Sequence, residues 1–181
     1  STSDGGGSLS LRPPPSFRAR HTMFILHIDY ETRSTVDLFK QGLYNYACHA
    51  STAILCMPWA FDDDEPQLWT PSIPFPAKVL AHFEANAPAS TYAHNASFER
   101  LITNNVLSKY IEFKQPSISH WYCTAAQARA RALPAGLDDL GACLDLDIRK
   151  DRIGKTLIKK LCVPTFDPNG GKTFNNDPDL L

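Results

Sequence analysis

Three features of the sequence predict an α/β domain built on a mixed sheet. Two apolar, strand-like runs, 24–30 (FILHIDY) and 52–61 (TAILCMPWAF), are followed by a short third run, 66–70 (PQLWT). Their close succession favours an antiparallel meander, because parallel neighbours need a long crossover. Beyond residue 76, segments with apolar residues three and four apart alternate with short apolar runs, the pattern of helices laid against strands.

The elements follow in order. Residues 1–22 contain GGGS and PPP and cannot build a core, so they read as a flexible tail or leader, with Met23 as a natural start. After the first strand, 36–50 (VDLFKQGLYNYACHA) predicts a short helix and a loop, with Phe39, Tyr44 and Tyr46 as packing residues. The acidic run DDDE at 62–65 is a solvated turn between the second and third strands. Val79, Leu80 and Phe83 mark a helix over 76–86, and STYAH at 90–94 is a fourth strand. Phe98, Leu101, Ile102 and Val106 mark an amphipathic helix over 97–110. A fifth strand is expected at 120–124, then helices near 124–132 and 137–146. Ile153, Leu157, Ile158 and Leu161 mark a last helix, and the chain is polar and turn-like from Pro164.

Composition bounds the function. With 181 residues, 43% of them hydrophobic, the chain suits one domain with a core, plus tails. A net charge of −1 excludes a general polyanion binder, so nucleic-acid affinity would need a local patch or a metal. The five cysteines, at 48, 56, 123, 143 and 162, form no C-x-x-C pair, which points to free thiols in a reducing compartment rather than a zinc site. No apolar run reaches the ~18 residues of a membrane span, and no signal-peptide pattern is present.

Chemistry concentrates at two places. Asp29 and Glu31 close the first apolar run, and residues two apart on a strand share a face. Two carboxylates held together repel unless a cation lies between them, although on this stretch alone a strand end meeting solvent is the plainer account. The second place is AHNASFER, 93–100, where His94 and Asn95 end a strand and Glu99 lies in the first helical turn. From there Glu99 can face the same crevice at the sheet's carboxyl edge, while also favouring the helix dipole. Asn95 is expected to cap that helix, and His94 to pack or hydrogen-bond at the strand end. Cys123 and Thr124 are expected to pack near the sheet. Arg149, Lys150, Arg152, Lys155, Lys159 and Lys160 surround a single negative residue, Asp151, as either a nucleic-acid-guiding or a solvated face. The GKT triplets at 154–156 and 171–173 lack the upstream glycine of a phosphate loop.

LHIDYET, ILCMPWAFDD, AHNASFER, CTAAQARARALP, LDDLGACLDL and KDRIGKTLIKKLCVP together resemble the N-terminal 3′–5′ exonuclease domain of phage-type family A DNA polymerases. That resemblance covers roughly residues 23–165. It implies the four-acid exonuclease superfamily and a ribonuclease H-like fold, with a mixed five-stranded sheet flanked by helices. It also implies proofreading hydrolysis of DNA from a 3′ end using two Mg²⁺ or Mn²⁺ ions. Asp29 would bridge the metals, Glu31 would hold the one that activates water, and Glu99 would stand where the family's second motif has an aspartate. Thr32, Asn95 and Phe98 would contact substrate. The implied partners are a single-stranded or frayed DNA 3′ end and a polymerase domain in a longer protein, with no membrane. A cytoplasmic monomer in a bacterial or phage-infected cell is the implied setting. The family's third acidic motif, Tyr-x-x-x-Asp or His-x-x-x-x-Asp, does not occur after Glu99: Tyr110 is followed four on by Lys114, Tyr122 by Ala126, and His120 five on by Ala125. The expectation is a domain cut before its last helix, with 166–181 as its polar end, Asp177 and Asp179 as weak substitutes, and impaired turnover. A non-catalytic nucleic-acid-binding or scaffold module of the same fold is the alternative.

Overall fold

In the computed structural model, residues 24–85, 90–147, 152–166 and 168–176 are described. The tail at 1–22, the basic residues Arg149 and Lys150, and Asp177 and Asp179 fall outside them.

The first strand, expected over 24–30, is broken where the acids lie. Ile25–Ile28 forms β1 and Glu31–Arg33 forms β2, and both pair antiparallel with successive stretches of one nine-residue strand, β3 (Ala53–Phe61). Between β1 and β2, Asp29 and Tyr30 leave the ladder, and the register shifts again between Glu31 and Thr32. On the far side of β3 runs β4 (Gln67–Trp69), also antiparallel, since Trp59 pairs with both Ile28 and Gln67. Outward from β1 come β5 (Ser90–Ala93) and β6 (Trp121–Cys123), both parallel. Six strands thus fill five lanes of one mixed sheet, so the expected five-stranded sheet is corrected only by the break in its first strand.

Between β2 and β3 lies α1 (Leu38–Cys48), capped by Asp37, whose carboxylate accepts the Phe39 and Lys40 N–H groups. A kink at Gly42 uses a φ of +79°, which other residues adopt at a steric cost. After β4, α2 (Ala77–Glu84) leads to β5. Then α3 (Ser97–Asn105) starts at once, followed by a 3₁₀ turn over Leu107–Lys109, so the predicted single helix to 110 ends early. Beyond β6 come α4 (Thr124–Ala130), α5 (Leu137–Cys143) and α6 (Arg152–Cys162). The stretch expected to be turn-like contains a small antiparallel hairpin, β7 (Thr165–Phe166) and β8 (Lys172–Thr173).

The core lies on one face of the sheet. Leu26, Phe61 and Thr91 occupy one cross-strand row with Trp121, and α2 packs His82 and Phe83 against it. Fully buried Ile102 and Val106 of α3 and its following turn, with Met57 and Trp69, complete the cluster. Phe39 and Tyr44, expected to pack, are instead 96% and 67% exposed on α1, whereas Tyr46 is buried. Hydrophobicity alone does not say which side of a kinked helix meets the sheet. All five cysteines are free, in line with the thiol reading. No described helix is long and apolar enough to cross a membrane.

Candidate metal site at the strand break

The break between β1 and β2 frees Asp29 from the ladder at the sheet's carboxyl edge. Its N–H is retained by the Pro58 carbonyl (3.2 Å), and its side chain is exposed. Next to it in sequence, Tyr30 turns inward, and its hydroxyl meets Thr103 of α3 at 3.1 Å. That bond ties the strand break to α3, the helix carrying Glu99. Burial pushes the Tyr30 phenol's ionisation well up; the Thr103 bond opposes this, and Glu99 adds to it.

Glu99 is 2% exposed. Its Oε2 is buried without a hydrogen-bond donor, and its side chain interacts directly with the Asp29 carboxyl. Desolvation pushes the Glu99 carboxyl up to about 8, with Asp29 and Cys123 contributing in the same direction and its own backbone N–H opposing. Burial, with the Asp29 carboxyl beside it, thus favours the protonated form of Glu99 unless a positive charge compensates.

The corner that delivers Glu99 is unusual. Asn95 adopts a φ of +76°, and its carbonyl accepts the Phe98 N–H at 2.8 Å. Its side chain does not cap α3. The cap position is Ala96, which makes no side-chain bond, so the expected Asn95 cap is corrected. Asn95 is there because a left-handed corner tolerates it better than most residues. His94 braces the corner: its Nε2–H donates to the Ala135 carbonyl (2.8 Å), which makes Nδ1 the acceptor of the Thr124 hydroxyl (3.0 Å). Both ring nitrogens are engaged, in accord with the hydrogen-bonding role expected for this residue.

Sequence reasoning undervalued Cys123. It ends β6 and caps α4, with the Ala126 N–H 3.4 Å from its sulfur. Burial opposes ionisation of its thiol, but the backbone N–H groups of Ala126, Ala96, Asn95 and Ala125 outweigh it and lower the pKa. A cysteine between a strand and a helix was the available signal. That it also faces the start of α3 is a matter of tertiary placement.

Glu31 follows the break on β2, and its charge and that of Asp29 both act on the Cys56 thiol. Glu31 is half-buried opposite Cys56, and its charge acts on Cys56 and Cys162, both pushed up to about 11 chiefly by burial. Among the described residues no three His, Cys, Asp or Glu side chains converge closely enough to hold a metal as they stand. The structure brings Asp29 and Glu99 together, and Glu31 lines a wall beside them. That wall belongs to a cleft of about 1150 Å³ whose lining includes Glu31, Tyr46, Phe98, Lys40 and Lys172. Thr32 is buried, its hydroxyl 2.8 Å from that of Tyr46, and Phe98 packs on the Tyr46 ring. Of the three residues expected to meet substrate, Phe98 and Thr32 both line the cleft, Thr32 with its hydroxyl on Tyr46, and Asn95 is exposed at the start of α3.

The donor set suits a hard divalent cation. The pair offers only carboxylate oxygens, the ligands preferred by Mg²⁺ and Mn²⁺. A buried carboxylate oxygen without a donor, beside a second carboxyl, is the arrangement a cation would satisfy.

No family model matches the chain. The DNA polymerase of Bacillus phage SP02 is 35% identical to it over 164 residues, which are 87% of this chain and 24% of that protein. The chain thus spans about a quarter of the length of the relative it matches, and it is related to a segment of a phage DNA polymerase.

Proposed function

We propose that this chain is a metal-dependent 3′–5′ exonuclease domain that hydrolyses DNA from a 3′ end within a polymerase context. The observation that carries the reading is the Asp29–Glu99 pair, a buried carboxylate without a donor held against an exposed one at the carboxyl edge of a sheet. When bound, Mg²⁺ or Mn²⁺ supplies Lewis acidity at the scissile phosphate and lowers the pKa of a coordinated water. Asp29, reaching solvent, is the first ligand. Glu99 is the second, with a donor-free oxygen buried against the Asp29 carboxyl. Glu31 joins the set from the cleft wall. Phe98 offers an apolar surface in that cleft for the terminal nucleotide, and Lys40 and Lys172 line the same cleft with positive charge. The similarity to a phage DNA polymerase supports DNA as the substrate class.

The test is degradation of 5′-labelled single-stranded DNA with Mn²⁺. Expected is stepwise shortening from the 3′ end, lost in Asp29→Ala and in Glu99→Ala. A rate unchanged by both substitutions refutes the proposal. That no three His, Cys, Asp or Glu side chains converge among the described residues favours one second reading, a module that holds a DNA end without cutting it. Salt-sensitive DNA binding with no hydrolysis in Mn²⁺ would select that reading.

A further inference from the structure

Phe39 is the most exposed large hydrophobic side chain among the described residues, at 96%. Its backbone is held firmly. The Asp37 carboxylate accepts the Phe39 and Lys40 N–H groups and fixes the first turn of α1, and the φ of +79° at Gly42 interrupts the helix soon after. Phe39 thus stands on one braced turn. Its neighbour Leu38 packs against the core, and its own ring meets water. A single exposed apolar residue is ordinary on a protein surface. This one is set apart by where it stands.

A groove of about 360 Å³ adjoins the large cleft, and Leu38, Phe39 and Phe98 line both. Leu43, Asn95 and Ser97 complete the groove. Phe39 and Phe98 therefore mark the divide between two compartments, and Phe98 directly precedes Glu99 in the chain. The Phe98 ring is committed to Tyr46, 6.2 Å away, whereas the Phe39 ring is open to solvent. Cutting one nucleotide from a 3′ end requires the strand to be held on both sides of the bond that breaks. Two compartments that meet beside the Glu99 corner provide for that.

We infer that Phe39 is a substrate-binding residue that stacks the base next to the 3′-terminal one, so that the bond between those two nucleotides lies at the Asp29–Glu99 pair. The inference rests on the exonuclease reading for the bond it places, and on DNA binding alone for the stacking. An open aromatic face on a rigid turn suits a base that has left its neighbours, whatever its identity. Lys40, beside it, is largely exposed and only 4.0 Å from Asp37, so its charge is available to a phosphate. A polypeptide fits the place less well. The groove wall carries exposed Asn95 and Ser97, and the break at Gly42 leaves α1 no continuous ridge for a helix to pack on.

The test is binding of a single-stranded oligonucleotide that carries 2-aminopurine at the first, second or third position from its 3′ end, with a chelator present so that nothing is cut. Expected is a stacking-induced fluorescence change at the second position, lost in Phe39→Ala and kept in Phe39→Trp. Affinity should fall about tenfold in Phe39→Ala, and in Mn²⁺ KM should rise by a similar factor. A ring already in water adds little to folding, so Phe39→Ala should melt with the parent chain. Absence of cutting in every protein, with the second-position signal still dependent on Phe39, upholds the stacking and moves the function to the non-cleaving reading. Three results overturn the inference: the parent chain binds no single-stranded DNA, Phe39→Ala binds it as tightly as the parent, or the substitution changes the signal equally at all three positions.

Discussion

Glu99→Gln isolates the cost of the buried carboxyl, because glutamine keeps the shape and cannot ionise. In the native state the Glu99 carboxyl is pushed from 4.5 to about 8; in the unfolded chain it titrates near its ordinary value. Below pH 4.5 both states hold the proton and the group has no effect on the pH slope. As pH rises, the unfolded chain releases its proton first, so the native state binds more protons and stability falls by ~1.4 kcal/mol per unit. The loss levels off above about 8, where it totals on the order of 5 kcal/mol. At 2% exposure, solvent screening does little to reduce it. The assay is urea unfolding with a chelator present at pH 5 and pH 8, for both proteins. With a urea slope of roughly 2 kcal/mol per M, the midpoint should fall about 2 M further in the parent chain than in Glu99→Gln. Parallel midpoint shifts in the two proteins would refute the placement of a protonated Glu99 against Asp29.

Three further outcomes follow from the same geometry. Mn²⁺ must displace the Glu99 proton, so its affinity should rise up to tenfold per pH unit below about 8 and level off above it. Titration calorimetry in buffers of different ionisation enthalpy should show about one proton released at pH 7, and a pH-independent affinity would exclude the pair as a ligand. Phe83→Ala removes a ring that packs against Phe75, Phe113 and Trp121, so thermal or urea unfolding should show a loss of about 3–5 kcal/mol. Tyr30→Phe leaves the buried Thr103 hydroxyl without its partner and should cost about 1–3 kcal/mol, measured the same way. A larger fractional loss of Mn²⁺ affinity than in Phe83→Ala would mark Tyr30 as positioning Glu99.

Most of the fold was legible because its elements are strongly periodic. The run from Ala53 to Phe61, the helix marked by Val79 and Phe83, and the helix opening at Ser97 all fall within a few residues of expectation. The break at Asp29–Tyr30 was not legible, since FILHIDYET has no proline or glycine to announce it. It arises because Tyr30 turns inward to reach Thr103, a partner 73 residues away. The role of Asn95 was misassigned for a related reason: asparagine suits both a helix cap and a positive φ, and only the chain path chooses between them.

The candidate site divides along the same line. The sequence by itself determined that Asp29, Glu31 and Glu99 lie at the edges of apolar segments, where carboxylates can gather at a sheet's end. It also determined that the cysteines are spaced too widely for a zinc cluster. Only the tertiary structure decided which carboxylates meet. Because α3 starts directly at the Asn95 corner and Thr103 holds Tyr30, Glu99 is buried against Asp29. Glu31, next to the register shift in β2, pairs with Cys56 and lines the cleft. Burial and proximity depend on contacts distant in sequence, and those contacts give Glu99 its raised pKa and Asp29 its partner.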